Sequence, residues 1–507
     1  FSPKGQALRD TIDFWKRILR RKQGVQTSRA MLRKQAKRLN LSLKHLTNMT
    51  QANVQNKISS AYKAYNLAKP KLPKWREEFQ VSLVNALASA KDKSPKVIIA
   101  QMKREKHQKL LGIKSRIIRQ KHKNDPILQA TATNEAGQVY ECTDESEMVE
   151  AMAKSNLSRQ QQSTSTPFMT EPLLTDFGYL ANDKAAQEVL NGTYVPPPNT
   201  SKYVIEFLAT LVMPESIKKL GPVDLTISQR DNSTGWSKMN ANTSSEPSTL
   251  SFNHYMTSCS DRYLNQIDTF LRNTATSLGI DAAAWKIVTD LQILKKANQF
   301  HVDTMRCIQL MDAEYNMTNK HVGRQTLAHA EKAKAIAPDQ YGSRKNHKCI
   351  NCVTNKVLLN DLFRHKRIAA AWGMNDARGC YDRIVHSIAI LVLMSFGVAG
   401  PIARSLIKVL QEADHHMKTG FGRSERVYGN ETVPHQGSGQ GNGLGPTLWT
   451  LISTKLIAMM LAKNHGVQLL SATTVTLICI VCFSFVDDTD LPVAGERHST
   501  GESIAPL

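Results

Sequence analysis

Val475-Thr-Leu-Ile-Cys-Ile-Val-Cys-Phe-Ser-Phe485-Val486-Asp487-Asp488 joins an apolar run to a pair of carboxylates. Residues 475–485 are rich in β-branched types, which suits one buried strand; periodicity alone also allows a short buried helix. Two adjacent carboxylates at the end of a core strand are costly unless something compensates them, and a divalent cation is a common compensation. A third carboxylate, Asp376, follows the mostly apolar run Ile368-Ala-Ala-Ala-Trp-Gly-Met374 by two residues. Between the acidic sites lies a glycine-rich turn, His435-Gln-Gly-Ser-Gly439-Gln440-Gly441-Asn-Gly-Leu-Gly445-Pro446, with an apolar helix expected over 447–461. The turn is not a phosphate-binding P-loop, because no Gly-Lys-Ser/Thr follows the glycines.

The order of these pieces resembles the palm of reverse transcriptases, specifically those of non-LTR retrotransposons. Asp376-x-x-x-x-Tyr381-Asp382 is similar to motif A, Gly439-Gln440-Gly441-x-x-x-Gly445-Pro446 to motif B, and Phe485-Val486-Asp487-Asp488 to motif C. Upstream, Trp236 to Ser248 with Asn253-His254-Tyr255 resembles the block before the fingers. Lys295-Lys296 to Leu310 resembles the finger strands, and Gln340-Tyr-Gly342-Ser-Arg344-Lys345 a further short block. The likeness covers residues 236–491. It departs from the family at Gly445, where Ser is usual, and at Asn346-His347.

The resemblance implies an α+β fold: right-hand polymerase fingers and palm, with an antiparallel palm sheet backed by helices. It implies RNA-directed DNA polymerisation, in which two Mg²⁺ ions (Mn²⁺ is an alternative) act on the attacking and leaving oxygens of nucleotidyl transfer. Asp376 and Asp487 are then the bridging metal ligands, and Asp488 is a secondary ligand or orienter. Tyr381 lies beneath the incoming sugar and disfavours a 2′-hydroxyl. Gln440 and Gly441 contact the incoming nucleotide and nearby template. Arg306 and Lys295 or Lys296 grip the triphosphate, with Arg344 a weaker candidate. Asp382 is expected to face away from Asp376 and to cap nearby backbone. RNA template, DNA primer and dNTPs are the implied partners. Two alternatives stay open: a truncated relic that only binds nucleic acid, and an RNA-dependent RNA polymerase.

Charge is distributed unevenly over the 507 residues. The net charge is +23, and residues 1–125 carry 31 Lys and Arg against 7 Asp and Glu. That asymmetry points to a polyanionic partner for a basic, mainly helical N-terminal region. Within it, 11–22 reads as a helix with Ile12, Trp15, Ile18 and Leu19 on one face and Lys16, Arg17, Arg20 and Arg21 as nucleic-acid contacts. Similar basic helices are expected over 28–46 and 100–122. Residues 126–235 read as a polar, variable linker around one short helix at 183–190, and 492–507 as a tail. No signal peptide is evident at Phe1-Ser-Pro-Lys4, so an intracellular location (nucleus or cytoplasm) is expected. The start on Phe and the stop soon after Leu491 suggest a piece of a longer chain without a thumb, with any endonuclease outside it. The run 467–486 is long enough for a membrane span, but its hydroxyl residues and terminal carboxylates favour strand, so stable membrane association is not expected. Among the eight cysteines, Cys349/Cys352 and Cys479/Cys482 tempt a zinc reading. The latter pair, three apart on one expected strand, would point to opposite faces and could not converge on an ion.

Overall fold

The computed structural model describes residues 3–23, 32, 35–37, 49–82 and 127–495, apart from 73, 76, 80, 241–242, 297–298, 378, 430–432 and 471–475. The chain divides into two compact units, 1–123 and 124–507. In the first, helix α1 (Pro3–Lys22) starts earlier than its apolar face predicts. It packs on α2 (Gln51–Ala68) through a small core of Phe14, Trp15, Ile18, Leu32, Ala36 and Val54. Arg20, Arg21 and Lys22 fill the last turn of α1, where cations suit the helix dipole. Thr50 caps α2, its side chain accepting from Asn53 N–H. The helix expected at 28–46 lies largely, and that at 100–122 wholly, outside the described residues.

The second unit is α+β. It opens with the hairpin β1 (Ala130–Thr133) and β2 (Val139–Cys142), then α3 (Glu145–Gln160), α4 (Asp183–Asn191), α5 (Lys202–Thr210), α6 (Gln229–Ser237) and α7 (Arg262–Leu278). β3 (Ile287–Leu294) and β4 (Met305–Leu310) precede α8 (Ala313–Lys332), α9 (Cys349–Lys366), β5 (Ala370–Asp376), α10 (His386–Ser395) and α11 (Gly400–Gln411). β6 (Asp414–Lys418), β7 (Arg423–Tyr428), α12 (Gly445–Ala462), β8 (Val467–Leu470), β9 (Leu477–Ile480), β10 (Phe483–Phe485) and β11 (Asp488–Ala494) complete it. Two sheets carry the acidic and basic residues singled out above. One is four-stranded, β4-β3-β6-β7, with β3 and β6 parallel; the other is three-stranded and antiparallel, β10-β11-β5. All ten residues of α10 are buried, and α12 packs on α10, α5 and α8. Pro446 suits the first turn of α12, where its missing N–H costs nothing.

Several expectations change. Residues 126–235 are not a linker: Phe168, Leu173, Phe177, Val189, Phe207 and Leu211 all enter the main core, and α3 carries its own cap, Asp144 accepting from Glu147 N–H at 2.9 Å. The apolar run at 475–485 is two strands in different sheets. The N–H groups of Val481 and Cys482 donate to the Asp339 carboxylate (2.9 and 3.4 Å), which removes them from any ladder, and Leu477 and Ile478 are exposed. Cys479 and Cys482 therefore do not share a strand. All eight cysteines are free, and among the described residues no three His, Cys, Asp or Glu side chains are gathered around one point. β11 continues through Pro492 to Ala494, so the tail begins later than expected; residues 496–507 lie outside the described set. In the described part of the 467–486 run, β8 pairs with β9 and β10 with β11, so these residues are strand and not a spanning helix. One described helix, Gly445–Ala462, is long and apolar enough to cross a membrane by length and composition, and 56% of it is buried inside the protein.

Candidate active site

β10 and β11 form a hairpin whose two-residue connection is Val486-Asp487, since Phe485 pairs with Asp488. Val486 has φ +61°. A positive φ at the first central residue is what a type II′ hairpin turn requires, and glycine normally supplies it. A β-branched residue there is strained by about 1–3 kcal/mol and persists only when its surroundings impose it. Here they do. The Trp449 indole N–H, from α12, donates to the Val486 carbonyl at 2.7 Å. Gly342 presses on the turn from the other side: a Cβ at 342 would stand 2.3 Å from the Val486 nitrogen. Its neighbours brace β10, with Tyr341 N–H donating to Ser484 O (2.8 Å) and the Gln340 amide to Ser484 Oγ (2.9 Å).

β11 pairs in turn with β5, and the register sets Asp488 directly opposite Asp376. Ala377 N–H reaches the Asp487 carbonyl. Cross-strand neighbours of this kind have Cβ atoms roughly 5 Å apart, and like charges placed so are destabilising. Desolvation, then the charges of Asp487, Asp376 and Asp490, push the Asp488 carboxyl above its ordinary range. Lys356, on α9, is engaged with Asp490 of β11 at 2.6 Å. Among the described residues none of Asp376, Asp487 and Asp488 has an ion-pair partner.

Asp376 and Asp487 line a cleft of about 1000 Å³, and Asp488 stands beside it, exposed. Tyr381, Gln440 and Gly441 also line the cleft, as do Lys295, Lys296 and Arg306. Lys295 and Lys296 follow β3, and Arg306 lies on β4 opposite Ile293; all three are exposed. Gly441 has φ +128°, and a Cβ on it would meet the Gln309 carbonyl at 2.5 Å, so only glycine lets this loop lie on β4. Gln309 N–H donates to the Gln440 carbonyl (2.8 Å), and the Asn316 amide to that of Gly441 (2.9 Å). At the other end of the loop, buried His386 meets the Gly437 carbonyl at 2.6 Å; burial draws its pKa down to about 4, so it is neutral near pH 7. Burial, then Cys380 and Asp487, push the Tyr381 phenol up to about 12, so it stays protonated. A Cβ at Gly445, where the family usually has Ser, would make an ordinary contact with the Tyr381 ring at 3.5 Å and a tighter one with Ser438 Oγ at 3.2 Å.

Two residues are placed differently from expectation. Asp382 does not face away but lines the same cleft, because the 3-10 turn Cys380–Arg383 swings it round after Gly379; burial pushes its carboxyl up and Arg159 opposes the shift. Arg344 is no ligand grip: it is bound to Glu331 (2.6 Å) and donates to the Ala337 and Gln340 carbonyls. The sequence reading missed Arg159, Ser158 and Gln162, which bring α3 and the loop after it to the cleft wall. Arg159 itself donates to the Val302 carbonyl and Ser155 Oγ. The signal available was the Asp144-x-x-Glu147 helix start followed by Met148, Val149 and Met152. In the other unit, Lys16 lies over the Tyr62 ring (5.1 Å), Arg17 donates to Gln35 (3.2 Å), and Arg20 and Arg21 are exposed.

No protein-family model matches the chain, and no curated protein matches it.

Proposed function

We propose that residues 236–491, with α3, form fingers and palm of an RNA-directed DNA polymerase of the non-LTR retrotransposon type, adding dNTPs to a DNA primer paired with an RNA template. One observation carries this reading: Asp376, which strand register sets opposite Asp488, and Asp487 line one cleft together with Lys295, Lys296, Arg306, the Tyr381 ring and the glycine loop. Asp376, Asp487 and Asp488 suit a hard divalent cation by donor chemistry, being oxygen ligands with no ion-pair partner among the described residues, although the three are not gathered around one point. Bound there, Mg²⁺ supplies charge neutralisation at the attacking and leaving oxygens. Lys295, Lys296 and Arg306 bind the triphosphate. Tyr381 supports the base of the sugar pocket and excludes a 2′-hydroxyl. Gln440 and Gly441 fix the nucleotide against β4. The exposed Arg20 and Arg21, with Lys16 and Arg17, bind the nucleic-acid backbone through charge, an attraction that weakens with salt.

Primer extension on a homopolymer RNA template with dNTPs and Mg²⁺ tests it. Asp487→Asn should slow extension roughly a thousandfold or more, several kcal/mol of barrier. Equal rates in the variant would reject the site. Template binding without any extension by the wild type would leave only a nucleic-acid-binding protein.

A further inference from the structure

Helix α7 is amphipathic with its faces exchanged. Its polar residues Asn265, Asp268, Thr269, Arg272 and Thr276 are buried. Arg272 donates to Asn232, Thr318 and the Met317 carbonyl, while Asp268 accepts from Asn232 and from Trp236 Nε1. The opposite face carries Tyr263 (73% exposed), Leu264 (50%), Ile267 (54%), Phe270 (68%), Leu271 (53%) and Leu278 (64%). At 100° per residue these six and Thr274 fall within a stripe roughly 120° wide, the span that normally faces a core. With aromatic side chains of about 200 Å², the exposed fractions leave on the order of 700 Å² of apolar surface, close to the ~800 Å² per partner of a standard interface.

We propose that this stripe is the seat of a second copy of the same chain, laid antiparallel about a two-fold axis between Phe270 and Leu271. Three features select that occupant. The stripe between Arg262 and Gly279 carries no charge, in a protein of net charge +23, so two copies meet there without opposing like charges. The antiparallel register sets Tyr263 against Leu278, Ile267 against Thr274, and Phe270 against Leu271, a large side chain facing a smaller one at each level. It also sets Arg262 at the carbonyl end of the partner helix, which has no basic residue in its last turn; a cation is favourable there. A parallel pair would instead oppose Arg262 to Arg262. The interface is isologous, as a closed two-fold dimer requires. It is independent of the polymerase reading.

Sedimentation equilibrium of the whole chain over a micromolar dilution series tests it. The expected mass is twice 56.5 kDa at the upper end. Phe270→Glu, which buries unpaired carboxylates near the axis, should raise the dissociation constant roughly a hundredfold or more, with the thermal midpoint unchanged only at dilutions where both proteins are monomeric. The double variant Ile267→Cys/Thr274→Cys should give an interchain disulfide on mild oxidation that the wild type does not give; seven residues of helix separate the two thiols within one chain, too far to close on each other. A monomeric wild type, a dimer indifferent to Phe270→Glu, or a dimer without the new cross-link would each overturn the proposal. So would a monomer whose binding to phosphatidylcholine vesicles is lost in Phe270→Glu, which would assign the stripe to a lipid surface.

Discussion

Replacing Trp449 by Phe keeps one aromatic ring but deletes the N–H together with the pyrrole part of the indole, which packs against the main core. That N–H holds the Val486 carbonyl at 2.7 Å, and Val486 carries the positive φ that aims Asp487. Losing a partly buried hydrogen bond costs about 1–2 kcal/mol, while relaxation of the turn returns some of the roughly 1–3 kcal/mol of strain. These two offset one another, and the lost packing of the smaller ring adds about 1–2 kcal/mol, so the urea midpoint should fall modestly. The carboxylate does not share in that cancellation. Once Val486 relaxes toward negative φ, Asp487 leaves its place opposite the cations, and a misplacement near 1 Å costs about a hundredfold in rate. The expected signature is therefore a modest stability change, about 1–2 kcal/mol, with a far larger loss in single-turnover extension at saturating template and primer. Adding Val486→Gly should restore most of the rate, because glycine holds the turn without needing the indole. A rate loss no larger than the unfolded fraction, or a double variant as slow as Trp449→Phe alone, would refute the reasoning.

Tyr381→Val should reduce discrimination against ribonucleotides by at least tenfold while leaving dNTP extension within a few-fold, about 1.4 kcal/mol of selectivity, measured by competing dNTP and NTP incorporation. Lys455, buried in α12, donates to the Thr210 carbonyl (2.9 Å) and lies 4.7 Å from the Phe396 ring; burial draws its pKa from 10.5 down to about 7. The unfolded chain thus holds the extra proton between pH 7 and 10.5, so this group's penalty is full below pH 7 and fades as pH rises to 10.5. Lys455→Met should stabilise the protein by about 2–4 kcal/mol at pH 6 after allowing for the lost hydrogen bond, and by little at pH 10, read from urea midpoints. Equal gains at both pH values would count against a lysine buried neutral.

What the sequence disclosed and what it hid differ in physical kind. The glycine loop and α12 were legible because Pro446 and the apolar run behind it act locally, within one turn of helix. Asp376 at the end of β5 was legible because an apolar run has to stop where a carboxylate begins. The break at Val481-Cys482 was not, because Asp339, far away in sequence, takes those N–H groups and composition is the same on both sides. α3 was lost to a different cause. Its inner face is completed by Ser155, Asn156 and Gln160, polar groups that are buried only because Asp303, Gln292 and Tyr428 from other elements meet the first two. The exchanged faces of α7 belong with these, since no window of sequence shows that Arg272 has Asn232 and Thr318 to meet it.

The charges of the cleft bear on what it holds. Elsewhere this fold pairs its ions: Arg344 with Glu331, Lys356 with Asp490, Arg423 with buried Glu246. It does not do so for Lys295, Lys296 and Arg306, nor for Asp376 and Asp487, although all five line one cleft; among the described residues none has an ion-pair partner. Opposite charges on long side chains would collapse onto one another if nothing were to lie between them. Here Asp376 ends β5 and Asp487 stands in the turn before β11, while Lys295 and Lys296 follow β3 and Arg306 lies on β4, strands of a different sheet. A ligand of one sign would satisfy one wall and leave the other with repelling neighbours, as Asp376 and Asp488 already are by register. A polyphosphate that brings its own cations satisfies both, and this requirement, more than any single carboxylate, is the reason to read the cleft as a nucleotide site.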